Sequence, residues 1–184
     1  YGKKVRDSKK GGYGKISVAR AFEVSSNTGL VSAIYKSYKD SPHDFIDGLY
    51  RMNLNDSLGL PILGEGKSII PDPRIKNGRW SGIALQWMAY GYGVLMTPMQ
   101  TLTFYNAVAN DGVMIRPRFI EGTQNTRSQI KKQSEVEIIN PSICSKETIG
   151  KVKSMLKGVV EKPWGTAHNI YDPNFAISGK TGTC

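Results

Sequence analysis

The order of predicted helices and strands places this chain of 184 residues in the α+β class. Apolar residues recur at helical spacing in both halves of the chain, which predicts amphipathic helices. The strand-like segments are short and do not alternate regularly with those helices. A regular alternation would instead have indicated a sheet of parallel strands with crossover helices.

The helices are predicted from apolar periodicity together with start signals. Ser41 followed by Pro42 is typical of an N-cap and a first helical residue. Thr97–Gln100 has the residues of a capping box, and the helix that follows is apolar most of the way round, so we expect it to be buried. The predicted helices are Ile16 onwards, Leu30–Tyr38, Ser41 to about Met52, Thr97–Ala109, and Ser145 to about Glu161.

Strands and one long loop complete the predicted elements. Pro117 weakens the first strand, because proline has no N–H to donate to a sheet. Residues 55–80 contain seven glycines and prolines and indicate a loop, and a loop of this length in a compact domain is often functional. The predicted strands are Val113–Ile120, Glu135–Ile139 and Phe175–Thr183.

The composition and charge exclude several classes of protein. Lysine and arginine outnumber acidic residues 25 to 15, giving a net charge of +10. No zinc-finger spacing or base-stacking aromatic motif accompanies this charge, so we do not expect nucleic acid as a partner, although an anionic surface or polymer stays possible. The two cysteines, Cys144 and Cys184, and the two histidines lack metal-ligand spacing, so no metal site or cofactor is expected.

Two short motifs carry side chains suited to a peptide with a free carboxylate. Ser25-Ser26-Asn27 interrupts a helical pattern, and Lys180-Thr181-Gly182-Thr183 ends a predicted strand. The lysine supplies positive charge and a proton-transfer partner, the threonines can donate hydroxyls, and the glycine lets a substrate lie along the strand. A serine held near that lysine can relay protons. Each motif alone is compatible with an ordinary cap or loop, but the pair in this order is far more specific.

The pair resembles the second and third motifs, S-x-N and K-[ST]-G, of the penicillin-binding proteins. Ser25 and Asn27 match the former, and Lys180–Gly182 match the latter. Asn27 and Gly91-Tyr92-Gly93 resemble the cell-division (septal) or sporulation type of monofunctional, class B transpeptidase more than the elongation type. Further stretches resemble the approach to S-x-N, the central segment and the approach to K-T-G: Arg6-Asp7, Gly11–Gly14, Ala89–Gly93, Thr97–Gln100, Ala109–Gly112 and Gly165–Ala167.

The resemblance implies a penicillin-binding/transpeptidase fold, similar to serine β-lactamases, with a helical subdomain and part of an antiparallel central sheet. The family's nucleophile motif S-x-x-K lies roughly fifty residues before S-x-N, which falls before Tyr1. The strings Ser128–Lys131 and Ser154–Lys157 follow S-x-N and are rejected as nucleophiles. We therefore expect residues 1–184 to be a partial transpeptidase domain, without the nucleophile segment and the last strands and helix, and inactive alone.

The resemblance also implies roles for the motif residues in a serine D,D-transpeptidase that cross-links peptidoglycan stem peptides through an acyl-enzyme. Ser25 would relay a proton to the leaving group, Asn27 would hold the donor peptide, and Lys180 would tune Ser25. Thr181 and Thr183 would bind the terminal carboxylate, and the backbone N–H of Thr183 would form half the oxyanion hole. By resemblance the catalytic residues are Ser25, Asn27 and Lys180, and the substrate-binding residues are Thr181, Gly182 and Thr183.

The implied partners are stem peptides ending in D-Ala–D-Ala, β-lactam antibiotics and cell-division membrane proteins. The implied location is the extracytoplasmic face of the bacterial cytoplasmic membrane, with the anchor outside this chain. Other functions are left open by the sequence. A β-lactamase or β-lactam sensor shares the motifs, and a degenerate, non-catalytic scaffold domain is compatible with the absence of S-x-x-K ahead of Ser25.

Overall fold

The computed structural model describes residues 4–76, 78–124 and 131–182, with the backbone alone for residues 131–133. A 3₁₀ turn follows the last helix at His168–Ile170. Within the described residues the helices are α1 Val18–Glu23, α2 Asn27–Tyr38, α3 Pro42–Arg51, α4 Ala84–Met88, α5 Pro98–Ala109 and α6 Lys146–Glu161. None of these helices has the length and apolar character needed to cross a membrane.

Side-chain caps start α5 and α6 where the sequence predicts them, whereas α2 begins at Asn27, three residues before the predicted start at residue 30. The capping box of α5 is confirmed: Gln100 N donates to Thr97 Oγ1 at 3.1 Å, and Thr97 N donates to Gln100 Oε1 at 2.8 Å. Ser145 caps α6 by accepting a hydrogen bond from Thr148 N at 3.2 Å. Ser41 occupies the N-cap position of α3, but its side chain makes no capping bond there. The five-residue α4 was not predicted, because its apolar pattern is too short to show a period.

Two clusters of buried apolar side chains lie within the described residues. One lies between α5, α6 and the strand that follows α5, and the other lies between α3, α4 and the long loop. Buried members of the first are Ala107, Val108, Met114, Ile143, Ile149 and Leu156. Buried members of the second are Ile46, Ile70 and Met88.

The prediction that α5 is buried is wrong outside one stripe of the helix. Leu102 is 60% exposed and Tyr105 is 40% exposed. The buried residues of α5 are Gln100, Thr103, Ala107 and Val108, which follow helical spacing along one stripe. Among the described residues α5 packs against α6 and against the strand that follows α5, and Phe104 is partly buried beside the same stripe.

The sheets are antiparallel two-stranded ribbons. Strand β1, Met114–Ile115, pairs with β4, Ile138–Asn140, and β2, Gly122–Gln124, pairs with β3, Lys131–Gln133. The strand predicted at 113–120 is therefore much shorter, in line with the proline at its centre. Helices with a small antiparallel sheet confirm the predicted α+β class.

The strand predicted at Phe175–Thr183 is wrong for residues 175–182, to which the structure assigns no strand. A strand needs a neighbour for its N–H and C=O groups, and no strand of the described residues lies beside this segment. The segment instead lies against α6, where Gly179 N donates to Leu156 O at 3.2 Å. The substrate-binding strand that the sequence predicts is therefore a loop here.

The long loop at 55–80 is confirmed for its described residues, which form a single bridge between Ile69 and Leu95. A buried carboxylate ties this loop to α3. Asp72 is 3% exposed and accepts hydrogen bonds from Tyr50 Oη at 3.1 Å and from Arg74 Nε at 2.9 Å. Arg74 also pairs with Asp47 at 2.7 Å, so two acidic residues hold one guanidinium.

Candidate active site

The two motifs meet in the folded chain. Lys180 Nζ donates a hydrogen bond to Ser25 Oγ at 2.7 Å across 155 residues of sequence. The lysine side chain also lies over the ring of Phe22, with 5.8 Å between Nζ and the ring centroid. Ser25 and Lys180 are therefore direct partners in one half-buried site.

Ser25 occupies an unusual backbone position at the end of α1. Its N–H donates to Phe22 O at 3.1 Å, and Ser26 N donates to Ala21 O at 2.8 Å, which together form a Schellman motif. The residue after the C-cap of this motif is usually glycine, because it adopts a left-handed conformation. Here it is Ser25, with φ of 54°. A non-glycine residue in this region stores strain of about 1 kcal/mol, and such strain is found at functional sites.

Ser26 and Asp7 fix the start of α2 beside Ser25. Ser26 is 1% exposed, accepts from Gly29 N at 3.0 Å and donates to Asp7 Oδ1 at 3.1 Å. Asp7 also accepts from Thr28 N at 3.0 Å and from Thr28 Oγ1 at 2.7 Å. Burial alone would raise the pKa of Asp7, but these hydrogen bonds outweigh it and lower that pKa below its ordinary value. Sequence reasoning gave Asp7 no role, because Asp7 lies nineteen positions before Ser26, beyond the reach of any local signal.

Asn27 is the first residue of α2 and is half-buried. Its Nδ2 donates to the backbone carbonyl of Arg6 at 3.1 Å. The carboxamide nitrogen is therefore engaged by the N-terminal segment, and the carboxamide oxygen is the atom left to receive an N–H from a bound molecule.

Lys180 combines burial with polar partners on its own loop. Its ammonium donates to Thr181 O at 3.1 Å in addition to Ser25 Oγ. Burial lowers the pKa of Lys180, because removing the ammonium from water disfavours its charged form. A lysine with a lowered pKa can lose and regain a proton more readily than a surface lysine.

Thr181 continues the site toward solvent. Its Oγ1 lies 2.9 Å from Thr166 Oγ1 and 3.4 Å from Lys180 Nζ. Gly182 is exposed, with no atom within 4 Å of the position a Cβ would take. Thr183 lies outside the described residues, as does Cys184. The sequence did not predict Thr166 as a site residue, although it lies in Gly165–Ala167, a stretch that resembles the family's approach to K-T-G.

The turn that carries Thr166 is attached to α1, the helix that ends two residues before Ser25. Thr166 N donates to Glu23 O at 3.1 Å, and Trp164 Nε1 donates to Glu23 Oε2 at 2.6 Å. The guanidinium of Arg20 stacks on the Trp164 ring at 3.8 Å from its centroid. The turn after α6 is thus joined to both motifs.

The residues excluded as nucleophiles are not brought into this site by the described structure. Ser154 is exposed on α6, and Lys157 pairs with Glu161 on the same helix at 3.2 Å. Residues 128–130 of the other S-x-x-K string lie outside the described residues. Among the residues that are described, no group of three or more His, Cys, Asp or Glu side chains could hold a metal ion.

This fold and this pairing of S-x-N with K-T-G define a serine transpeptidase-like domain, and comparison with known proteins agrees. Residues 1–184 match the family model of the penicillin-binding protein transpeptidase domain. The chain belongs to this family, which confirms the predicted family and is in line with its class B, cell-division type.

Three curated relatives illustrate the match. The chain is 28% identical to penicillin-binding protein PbpB of Mycobacterium tuberculosis, over 97% of the chain and 26% of the relative. It is 27% identical to stage V sporulation protein D of Bacillus subtilis, over 99% of the chain and 27% of the relative. It is 29% identical to the peptidoglycan D,D-transpeptidase FtsI of Buchnera aphidicola, over 86% of the chain and 25% of the relative. The chain thus spans about a quarter of the length of these relatives.

Solved structures show the same fold. Penicillin-binding protein 3 of Mycobacterium tuberculosis in its apo form has a TM-score of 0.68 at 27% identity, covering 84% of this chain and 34% of that one. The same protein complexed with ampicillin has a TM-score of 0.64 at 28% identity, covering 80% of this chain and 31% of that one. The predicted fold family is therefore confirmed.

Proposed function

We propose that this chain is part of the transpeptidase domain of a septal peptidoglycan D,D-transpeptidase that acts through a serine acyl-enzyme. The observation that carries the proposal is the 2.7 Å hydrogen bond from Lys180 Nζ to Ser25 Oγ, which joins S-x-N to K-T-G. The name of the FtsI relative, a peptidoglycan D,D-transpeptidase, and the ampicillin complex of a similar structure support it.

In the proposed reaction, a serine of an S-x-x-K motif outside residues 1–184 attacks the carbonyl of the D-Ala–D-Ala bond. That bond breaks, D-Ala leaves, and the amine of a second stem peptide then displaces the serine to form the cross-link. The leaving amine needs a proton. Because Lys180 donates to the oxygen of Ser25, the hydrogen of the Ser25 hydroxyl is free to point at the leaving nitrogen. Lys180, with its lowered pKa, can then replace the transferred proton.

The remaining motif residues are proposed to hold the donor peptide. Asn27 would accept an N–H of the donor through its carboxamide oxygen, since its nitrogen is bonded to Arg6 O. Thr181 and the positive field of Lys180 would bind the terminal carboxylate. Gly182 would let the donor approach the backbone closely, and Thr183 would add a hydroxyl and an oxyanion-hole N–H.

The partners and location follow from the same proposal. The protein would act at the extracytoplasmic face of the bacterial cytoplasmic membrane, together with cell-division membrane proteins. The net charge of +10 suits a surface close to anionic wall polymers and lipid headgroups. β-Lactams would acylate the same serine as the donor peptide, as the antibiotic complex of the similar structure suggests.

A fluorescent penicillin tests the proposal on the protein encoded by the complete reading frame. Wild type should form a covalent adduct that survives denaturing electrophoresis, and Ser25→Ala and Lys180→Ala should each slow its formation by about 100-fold, the lower range for loss of a proton-transfer group. Lys151→Ala is the matched control, because Lys151 is an exposed lysine paired with Glu147 on α6. It should react like wild type.

The same assay separates the alternatives. No adduct with the complete protein would favour the non-catalytic scaffold and refute the transpeptidase. Rapid turnover of the penicillin to its hydrolysed product would favour the β-lactamase-like alternative. An adduct with the 184-residue chain alone would contradict the placement of the nucleophile outside it.

A further inference from the structure

We propose that Thr166 is a positioning residue that orients the hydroxyl of Thr181 toward the substrate carboxylate; this inference rests on the proposed function. Thr166 lies on neither of the two motifs. Its Oγ1 is 2.9 Å from Thr181 Oγ1, and its backbone N–H is bonded to Glu23 O at 3.1 Å. It therefore links the turn before Ser25 to the loop that carries K-T-G.

Thr166 sits on a rigid platform, which is what a positioning role needs. The turn after α6 is closed by Gly165 N donating to Lys162 O at 2.8 Å and by Ala167 N donating to Val159 O at 3.0 Å. Gly165 allows this closure, because a Cβ there would lie 2.6 Å from Val159 C and 2.7 Å from Gly158 O. Val159 is fully buried, so the turn is fastened to the interior of the domain.

The direction of the hydrogen bond between the Thr166 and Thr181 hydroxyls decides whether Thr181 keeps a hydrogen for the substrate. A threonine hydroxyl has one hydrogen to donate and two lone pairs to accept. Lys180 Nζ, 3.4 Å away, can only donate to Thr181 Oγ1 while it is charged. If Thr166 also donates, both lone pairs of Thr181 are occupied and its hydrogen remains for a carboxylate. If Thr181 donated to Thr166 instead, that hydrogen would be lost to the substrate.

In this role the Thr166 hydroxyl contributes to the reaction of substrates that carry a carboxylate. Without its hydroxyl, the Thr181 hydroxyl can rotate, and an oriented hydrogen bond to a charged acceptor is lost. Such a bond contributes enough to change a binding or rate constant by about tenfold. A substrate whose terminal carboxylate is replaced by a neutral amide should not sense the change.

The test measures kcat and KM of the complete protein with two synthetic stem-peptide thioesters, one ending in a carboxylate and the other in a carboxamide. Thr166→Val keeps the shape of the side chain and removes the hydroxyl. It should lower kcat/KM for the carboxylate substrate by about tenfold, mainly by raising KM, and leave the carboxamide substrate unchanged. Thr166→Ser, which keeps the hydroxyl, should restore at least half of the wild-type value.

Two further variants isolate the contact. In a Thr181→Val background, Thr166→Val should have no additional effect, since its partner is already absent. Thr101→Val is the matched control, because Thr101 is an exposed threonine whose hydroxyl bonds to Thr97 O on α5.

Equal losses of Thr166→Val on both substrates would mean a purely structural role and would overturn the inference, as would wild-type kinetics on the carboxylate substrate. A wild-type protein that does not react with either thioester or with fluorescent penicillin would overturn the proposed function instead, and this inference with it. If wild type is active and Thr166→Val does not change kcat/KM, only the inference about Thr166 is overturned.

Discussion

Replacing Gly165 by alanine should destabilise the domain through a steric conflict at the end of α6. A Cβ at residue 165 would lie 2.6 Å from Val159 C and 2.7 Å from Gly158 O, and closer still to Val159 O. All three are backbone atoms of the helix, so no side chain can rotate away. Ordinary contacts of a Cβ begin at 3.4 Å, so the turn would have to move by about 1 Å.

The magnitude follows from what that movement breaks. Forcing an additional methyl group into a packed site costs about 1–3 kcal/mol. The hydrogen bond from Ala167 N to Val159 O, 3.0 Å long and on a fully buried residue, would lengthen or break at a further cost of about 1 kcal/mol. We therefore expect Gly165→Ala to lower the free energy of unfolding by about 2–4 kcal/mol.

Urea unfolding of the chain, followed by far-UV circular dichroism, measures this change, with Gly150→Ala as the control. Gly150 lies within α6, is exposed, and has no atom within 4 Å of a Cβ. Both variants remove one glycine from the unfolded chain, so they differ only in the folded state. Gly150→Ala should stabilise by about 0.5–1 kcal/mol. The reasoning would be refuted by a Gly165→Ala variant as stable as wild type.

Two further predictions concern buried charge and backbone strain. Hydrogen bonds from Arg74 lower the pKa of Asp72 to about 2. The ionised Asp72 carboxylate therefore contributes fully to the free energy of unfolding above pH 4, and this contribution is lost as the pH falls toward 2. Asp72→Asn should therefore lower the free energy of unfolding by about 2 kcal/mol at pH 7. Urea unfolding should show the difference between variant and wild type shrinking by pH 2. A difference that does not depend on pH would contradict this prediction. At Ser25, with φ of 54°, glycine should be more stable than alanine by about 1 kcal/mol, since both remove the hydroxyl and only alanine keeps a strained Cβ. Equal melting temperatures would argue against strain.

Local signals predicted much of the fold correctly. The capping box at Thr97 and the serine cap of α6 occur where the sequence places them, and the predicted helix interruption is correct for Ser25 and Ser26 but not for Asn27, which begins α2. These features depend on residues three or four positions apart, so a short window contains all the interacting groups. The end of α1 is predicted less well, because a serine in place of the usual glycine conceals the Schellman motif.

Features that depend on distant partners were predicted poorly. The segment 175–182 has the composition of a strand, but a strand also requires a neighbour to pair with. The apolar residues of α5 suggested burial on every side, yet the elements packed around α5 leave Leu102 and Tyr105 exposed. Composition states what a segment can bury, and the packing of other elements decides what it does bury.

The sequence by itself determined the starts of α3, α5 and α6, the α+β class and, through the order of S-x-N and K-T-G, the penicillin-binding protein family. Only the tertiary structure decided that Lys180 donates directly to Ser25, that Asp7 fixes the start of α2, and that Thr166 joins the end of α1 to the K-T-G loop. The physical reason is the reach of the interactions. Caps and periodicity act within one or two helical turns, whereas these contacts form between segments that are distant in sequence and meet only when the helices pack, as α1 does against α2 and α6.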